Sequence, residues 1–158
     1  MTPSAAAEPR AVAVLGFHRS GTSMVTRMLN LLGVDLGDEA ALLPPEERDN
    51  ARGYWEPRWM NVLNDELLAR LGSGAFAPFR PAAGWERAPE LEPLRARARR
   101  LLAEHFSDAP VWGFKDPRTS LTLPFWRTVV DRPMAFVVCV RSPADAVASA
   151  LRRGLTDL

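Results

Sequence analysis

Lysine is almost missing from this chain: Lys115 is the only one among 20 basic residues, the rest being arginine. An arginine bias of this kind reads as coding preference, which leaves the lone lysine as a position to inspect. Cysteine is as scarce. The single Cys139 excludes an internal disulfide, and within the apolar run 134–140 it reads as a small buried hydrophobe of a protein kept in a reducing, cytoplasmic setting. Charge of one sign is absent too, since 20 basic and 19 acidic residues leave +1. No global field draws the chain onto nucleic acid or an anionic membrane, so any anion binding must be local. Long apolar runs are also lacking. The longest are about seven residues, against ~20 for a bilayer span, and 1–10 has no signal-peptide centre, so neither export nor membrane insertion is expected.

What the chain does have is the composition of one ordinary domain, 47% hydrophobic and 25% charged over 158 residues. That excludes disorder, collagen and coiled coil. Residues 1–10 are expected to form a disordered tail and 11–158 a single domain. An apolar strand over 11–17 runs into a tight turn and a helix carrying Met24, Val25, Met28, Leu29, Leu31 and Leu32, which stops near Gly33. A loop over 34–54 precedes a helix over 55–71, with Trp55 and Trp59 at core spacing and Pro57 in its first turn. The segment 72–89 is irregular and 90–106 helical. Arg95, Arg97, Arg99 and Arg100 suggest a nucleic-acid patch, but the interleaved alanines and flanking glutamates favour a solvated helix face. Strands are expected at 111–114 and, fully buried, at 134–140. Helices are expected at 120–130, interrupted or started by Pro124, and at 142–153, with Ser142 as N-cap and Pro143 at N1. This alternation gives an α/β chain with a parallel sheet.

The strongest chemical signal is Gly16-Phe17-His18-Arg19-Ser20-Gly21-Thr22-Ser23, between a strand and a helix. Glycine permits the tight turn, and the backbone N–H groups with the helix's positive end form a phosphate cradle. In nucleotide triphosphatases the pattern is G-x-x-x-x-G-K-[ST]. Here Thr22 stands at the lysine position and the basic residue is Arg19, which argues against ordinary ATP or GTP hydrolysis but not against phosphate binding. Lys115-Asp116-Pro117 follows the second strand. Asp-Pro is a common turn initiator, yet ligands lie beyond the carboxyl ends of parallel strands, on the edge that the 16–23 loop shares. Arg141 follows the third strand, and ~9 Å of helix rise separates Pro143 from Ser149, which lets Arg141 and Ser149 face one ligand along two turns.

Together these residues resemble the P-loop sulfotransferase family, which uses 3′-phosphoadenosine-5′-phosphosulfate, PAPS. The loop is similar to the family's 5′-phosphosulfate loop, Arg141 and Ser149 to its 3′-phosphate pair, and Lys115-Asp116-Pro117 to the tyrosylprotein branch within a tyrosylprotein/carbohydrate-type grouping. The resemblance implies a P-loop-type three-layer fold, a central parallel sheet flanked by helices. It also implies PAPS as co-substrate, held by Phe17, His18, Arg19, Ser20, Gly21, Thr22, Ser23, Arg141 and Ser149, with no metal. Arg19 and Lys115 are then the donors to developing negative charge. The base is Glu56, beside aromatics that would desolvate it, or Glu39, near where the tyrosylprotein branch carries its glutamate. His18 and His105 are weaker candidates. The resemblance spans 12–153 and implies further chain after it, so 11–158 is expected to be the N-terminal portion of such a domain. The implied activity moves a sulfuryl group from PAPS to a hydroxyl or amine on a carbohydrate, small alcohol, lipid or peptide. The alternatives are a P-loop kinase or nucleotidase using magnesium ATP, for which Asp116 is the one carboxylate available to a metal, and a nucleotide-binding module without turnover.

Overall fold

The computed structural model describes residues 10–152 apart from 48 and 78. Most of the expected tail and the expected end of the last helix at 153 lie outside the described residues. Eight main elements alternate as β1 (Arg10–Leu15), α1 (Thr22–Leu31), α2 (Arg58–Arg70), α3 (Glu92–Phe106), β2 (Val111–Lys115), α4 (Thr119–Val129), β3 (Met134–Val138) and α5 (Pro143–Leu151). The chain is α/β, with a small open sheet of three parallel strands in the order β2-β1-β3.

β1 is central because its alternating Ala and Val side chains let layers pack closely on both faces; Ala11, Ala13 and Val14 are at most 2% exposed. Ala11, Ala13 and Leu15 share one core with Leu63 and Leu67 of α2, Leu94 and Ala98 of α3, Trp112 and Phe114 of β2, and Phe125 and Trp126 of α4. Helix starts follow local chemistry. α5 has Ser142 at the N-cap and Pro143 in its first turn, and Glu92 opens α3. α2 begins three residues later than expected, at Arg58, with Pro57 outside the helix as its extended N-cap.

Four expectations need correction. Pro124 neither starts nor interrupts a helix but lies inside α4, which runs through it. α1 does not bury its Met and Leu residues. Thr22 and Thr26 face inward, while Met24, Met28, Leu31 and Leu32 are exposed, because the small threonines permit close approach to the sheet and Thr26 returns its hydroxyl to the Thr22 carbonyl at 2.8 Å. β3 stops at Val138 and is not buried, with Phe136 45% and Val138 63% exposed, and Cys139 is only half-buried. Arg95 is not on a solvated face; it is buried and donates to the carbonyls of Glu86 and Ala88 at 2.9 and 3.0 Å, tying two short 3-10 turns to α3. Arg97, Arg99 and Arg100 do lie on the solvated side, paired with Glu66, Glu92 and Glu104.

Of the tryptophans, Trp112 and Trp126 are core, Trp59 packs partly buried against it, and Trp55 lies under the Arg27 guanidinium at 4.4 Å. Among the described residues no helix is long and apolar enough to cross a membrane.

Candidate functional site

The loop after β1 is shaped by backbone constraints that its sequence anticipates. Gly16 adopts φ 152°, and a Cβ there would come within 2.7 Å of the Cys139 carbonyl oxygen and 2.9 Å of the Thr22 methyl. No larger residue fits without moving β3 away from β1. Gly16 N–H donates to Ser120 Oγ of α4 at 3.0 Å, which pins the start of the loop. Arg19 sits at φ 67° and Gly21 at φ 84°, turning the chain into α1. A non-glycine residue in the left-handed region stores strain of about 1–3 kcal/mol, and such sites concentrate where function holds them. Arg141 stabilises this conformation by donating to the Arg19 carbonyl at 2.9 Å. Gly21 at the N-cap of α1 offers no side-chain cap, so among the described residues the N–H groups of the first turn are left toward the loop.

Three distant segments converge on this loop. The Arg19 guanidinium donates to Ser149 Oγ of α5 at 3.3 Å and pairs with Asp49 at 3.1 Å. Ser23 Oγ accepts from Asn50 and from Lys115 Nζ, each at 3.1 Å. Arg19, Gly21, Thr22, Ser23, Asn50 and Arg141 line a cleft of about 230 Å³ that opens beyond the carboxyl end of β1.

Beneath it lies a sealed charged cluster. Lys115 is 1% exposed and donates to Glu56, which is 5% exposed. Asn61 reaches Glu56 Oε2 at 3.0 Å and Asp116 Oδ2 at 2.8 Å. Asn64 also donates to Asp116 at 2.9 Å, and its carbonyl accepts from Thr122 and Trp126 at 2.7 and 2.9 Å. Arg118 closes the other side of Asp116 at 3.0 Å. Burial pushes the Glu56 carboxyl up, against the opposing pull of Lys115. It pushes the Lys115 ammonium down, against the opposing pull of Glu56. The pair therefore sits nearer to sharing one proton than either group would in water.

The structure brings Arg19, Ser23, Lys115, Glu56, Arg141 and Ser149 into this one region. Thr22 is buried under the loop, and Ser20 N–H closes the turn on the Phe17 carbonyl at 3.2 Å. Phe17 is exposed. The His18 ring packs on Phe76 with centroids 4.6 Å apart, and its Nε2 is buried without a protein partner. Desolvation, with the Arg118 charge next in weight, lowers its pKa to about 4, so the imidazole is neutral. Glu39 is not brought to Lys115; it lies exposed in the 3-10 turn Glu39–Ala41. His105 ends α3 and stacks on Trp59 at 5.5 Å, away from the loop.

Sequence reasoning missed Asp49, Asn50, Asn61 and Asn64. Two asparagines three apart on a face otherwise made of Met60, Leu63, Leu67 and Leu68 were a readable signal, because an amide in that position must be paired across the core. Among the described residues no group of three or more His, Cys, Asp or Glu side chains is arranged to hold a metal. Comparisons with protein-family models, curated proteins and solved structures find no match. The reading of function therefore rests on the side chains themselves.

Proposed function

We propose that this chain is a P-loop sulfotransferase domain, or the N-terminal portion of one, that binds PAPS and transfers its sulfuryl group to an acceptor hydroxyl or amine. The single observation that carries the reading is the meeting of the 16–23 loop with both Ser149 and Arg141 on one side and Lys115 on the other. These are the three segments that the family resemblance assigns to one ligand. The donor set also fits an anionic group: two arginines, a helix N-terminus and hydroxyls line the cleft, and Gly21 leaves open space where a side chain would stand.

When bound, PAPS supplies the activated sulfuryl group. Arg19 and the first-turn N–H groups of α1 hold negative charge, and Arg19 keeps its own proton because a guanidinium is always charged near neutral pH. Lys115 holds a proton at Nζ beside Ser23 Oγ, and its lowered pKa makes it the better proton donor. Glu56, buried with a raised pKa, is the base that receives the acceptor's proton by relay through Lys115 Nζ, which touches both Glu56 and Ser23 Oγ. Glu39 lies exposed in its 3-10 turn and is not joined to Lys115.

The kinase reading is less well supported. Asp116, its only candidate metal carboxylate, already receives hydrogen bonds from Asn61, Asn64 and Arg118 and is fully buried.

Calorimetric and thermal-shift titration with adenosine 3′,5′-bisphosphate, against 5′-AMP and magnesium ATP, tests the proposal. The bisphosphate at 100 times its Kd should stabilise the fold by ~2.7 kcal/mol. Arg141→Ala should weaken it by about 10- to 100-fold, as for loss of charge-assisted hydrogen bonds. Preference for magnesium ATP would overturn it.

A further inference from the structure

An anion of the protein's own holds one of the side chains that line the cleft. Asp49 Oδ1 lies 3.1 Å from Arg19 Nη1, the loop cation, while its other oxygen takes the Tyr54 hydroxyl at 2.7 Å. The neighbouring Asn50 donates to Ser23 Oγ at 3.1 Å, so adjacent residues of one turn land on the two loop side chains that face the cleft. That turn is fixed, since Asn50 N–H donates to the Glu46 carbonyl at 2.7 Å and Glu46 N–H to the Asn50 carbonyl at 3.2 Å.

We propose that Asp49 is a built-in competitor for the anion site, its carboxylate holding the Arg19 guanidinium until a phosphate or sulfate group of the ligand displaces it. Asp49 thereby sets the affinity of the cleft and selects for polyanions. The inference rests on the reading of the 16–23 loop as an anion cradle. The Arg19–Asp49 ion pair, with Arg19 19% and Asp49 27% exposed, is screened by solvent and weak enough to exchange. A tetrahedral oxyanion can take the guanidinium fork through two oxygens and the helix N-terminus as well. Displacement is opposed by the neighbourhood: the Tyr54 hydroxyl that meets Asp49 also meets Glu46 at 3.0 Å, so the Arg19 charge offsets the repulsion between two carboxylates gathered on one hydroxyl. Monoanions offering a single contact gain too little to make that exchange.

The test is calorimetric titration of inorganic pyrophosphate, sulfate and adenosine 3′,5′-bisphosphate into the whole chain and its D49N, D49S, R19A and R19A/D49N variants. D49N and D49S should bind pyrophosphate about 3- to 10-fold tighter than the wild type while melting no higher without ligand, and sulfate binding should gain at least as much. A merely structural Asp49 would move binding and melting downward together. In the R19A background, D49N should change pyrophosphate affinity by less than about 2-fold, because the contested cation is gone. Unchanged or weaker binding in D49N and D49S, the same gain in the R19A background, or no pyrophosphate binding by any variant overturns the proposal. If pyrophosphate shows the Asp49 effect and the bisphosphate has no advantage, the competitor stands and the sulfotransferase reading falls. If the bisphosphate binds strongly and Asp49 has no effect, only the competitor falls.

Discussion

Ala13 of β1 has a phenylalanine in register on each side, Phe114 of β2 and Phe136 of β3. One is completely buried and the other 45% exposed. Their strands are similarly apolar, so residue type does not decide the difference. What packs over them does. The Trp112 and Phe114 side chains of β2 pack against Phe106 and Trp126, and its outer edge is met by Asp35, whose carbonyl accepts from Gly113 N–H at 2.7 Å. β3 has no such cover among the described residues. The contrast extends to the strand ends, where Lys115 is sealed in a network of partners and Arg141 reaches the loop from an exposed position. One flank fixes charges in place, whereas the other presents them from an exposed, exchangeable position.

Lys115→Ala should break the fixed flank most severely. It leaves Glu56 buried without its cation, a loss of about 3–5 kcal/mol in urea unfolding. Transfer activity, measured in single turnover, should fall at least about 10²–10³-fold, as when a charge-stabilising donor is removed. Phe114→Ala against Phe136→Ala sharpens the comparison within one register. The first should lose about 3–5 kcal/mol through the cavity it leaves. The second should lose under about 1 kcal/mol, since much of its ring is already in water. Equal losses would mean that β3 is covered in solution.

A pH slope follows, smaller than the Lys115→Ala and Phe114→Ala losses. His18 has a folded pKa of about 4 against 6.5 in the unfolded chain. The unfolded state therefore binds more protons between these values, and stability must fall as pH drops through that window. After solvent screening this amounts to about 1–2 kcal/mol. His18→Asn should flatten the slope, as read from denaturant midpoints at pH 4, 5 and 6.5. Arg141→Ala, on the exchangeable flank, should leave it unchanged.

Much of the scaffold was legible, and the errors share a cause. β1, β2 and the loop between β1 and α1 announced themselves through apolar runs, glycines and the single lysine. β3 carries the same signal and was expected to be buried, because hydrophobicity records what a strand can tolerate and not which neighbours cover it. The Met and Leu residues of α1 misled in the same way, as close contact with the sheet selects the small Thr22 and Thr26. At the site, Arg19, Lys115 and Glu56 stood out by charge beside glycine or aromatic residues. Asn61 and Asn64 did not, since an amide acquires meaning only from partners such as Asp116, more than fifty residues away in the chain.

Gly16 has a mechanical consequence. Because its bare α-carbon lies against the Cys139 carbonyl while its N–H is pinned to Ser120, the loop cannot shift as an independent flap. Any displacement of the loop's first residue is transmitted to the last turn of chain before Arg141, and from there back to Arg19. The two ends of the cleft are thus tied together across a missing methyl group.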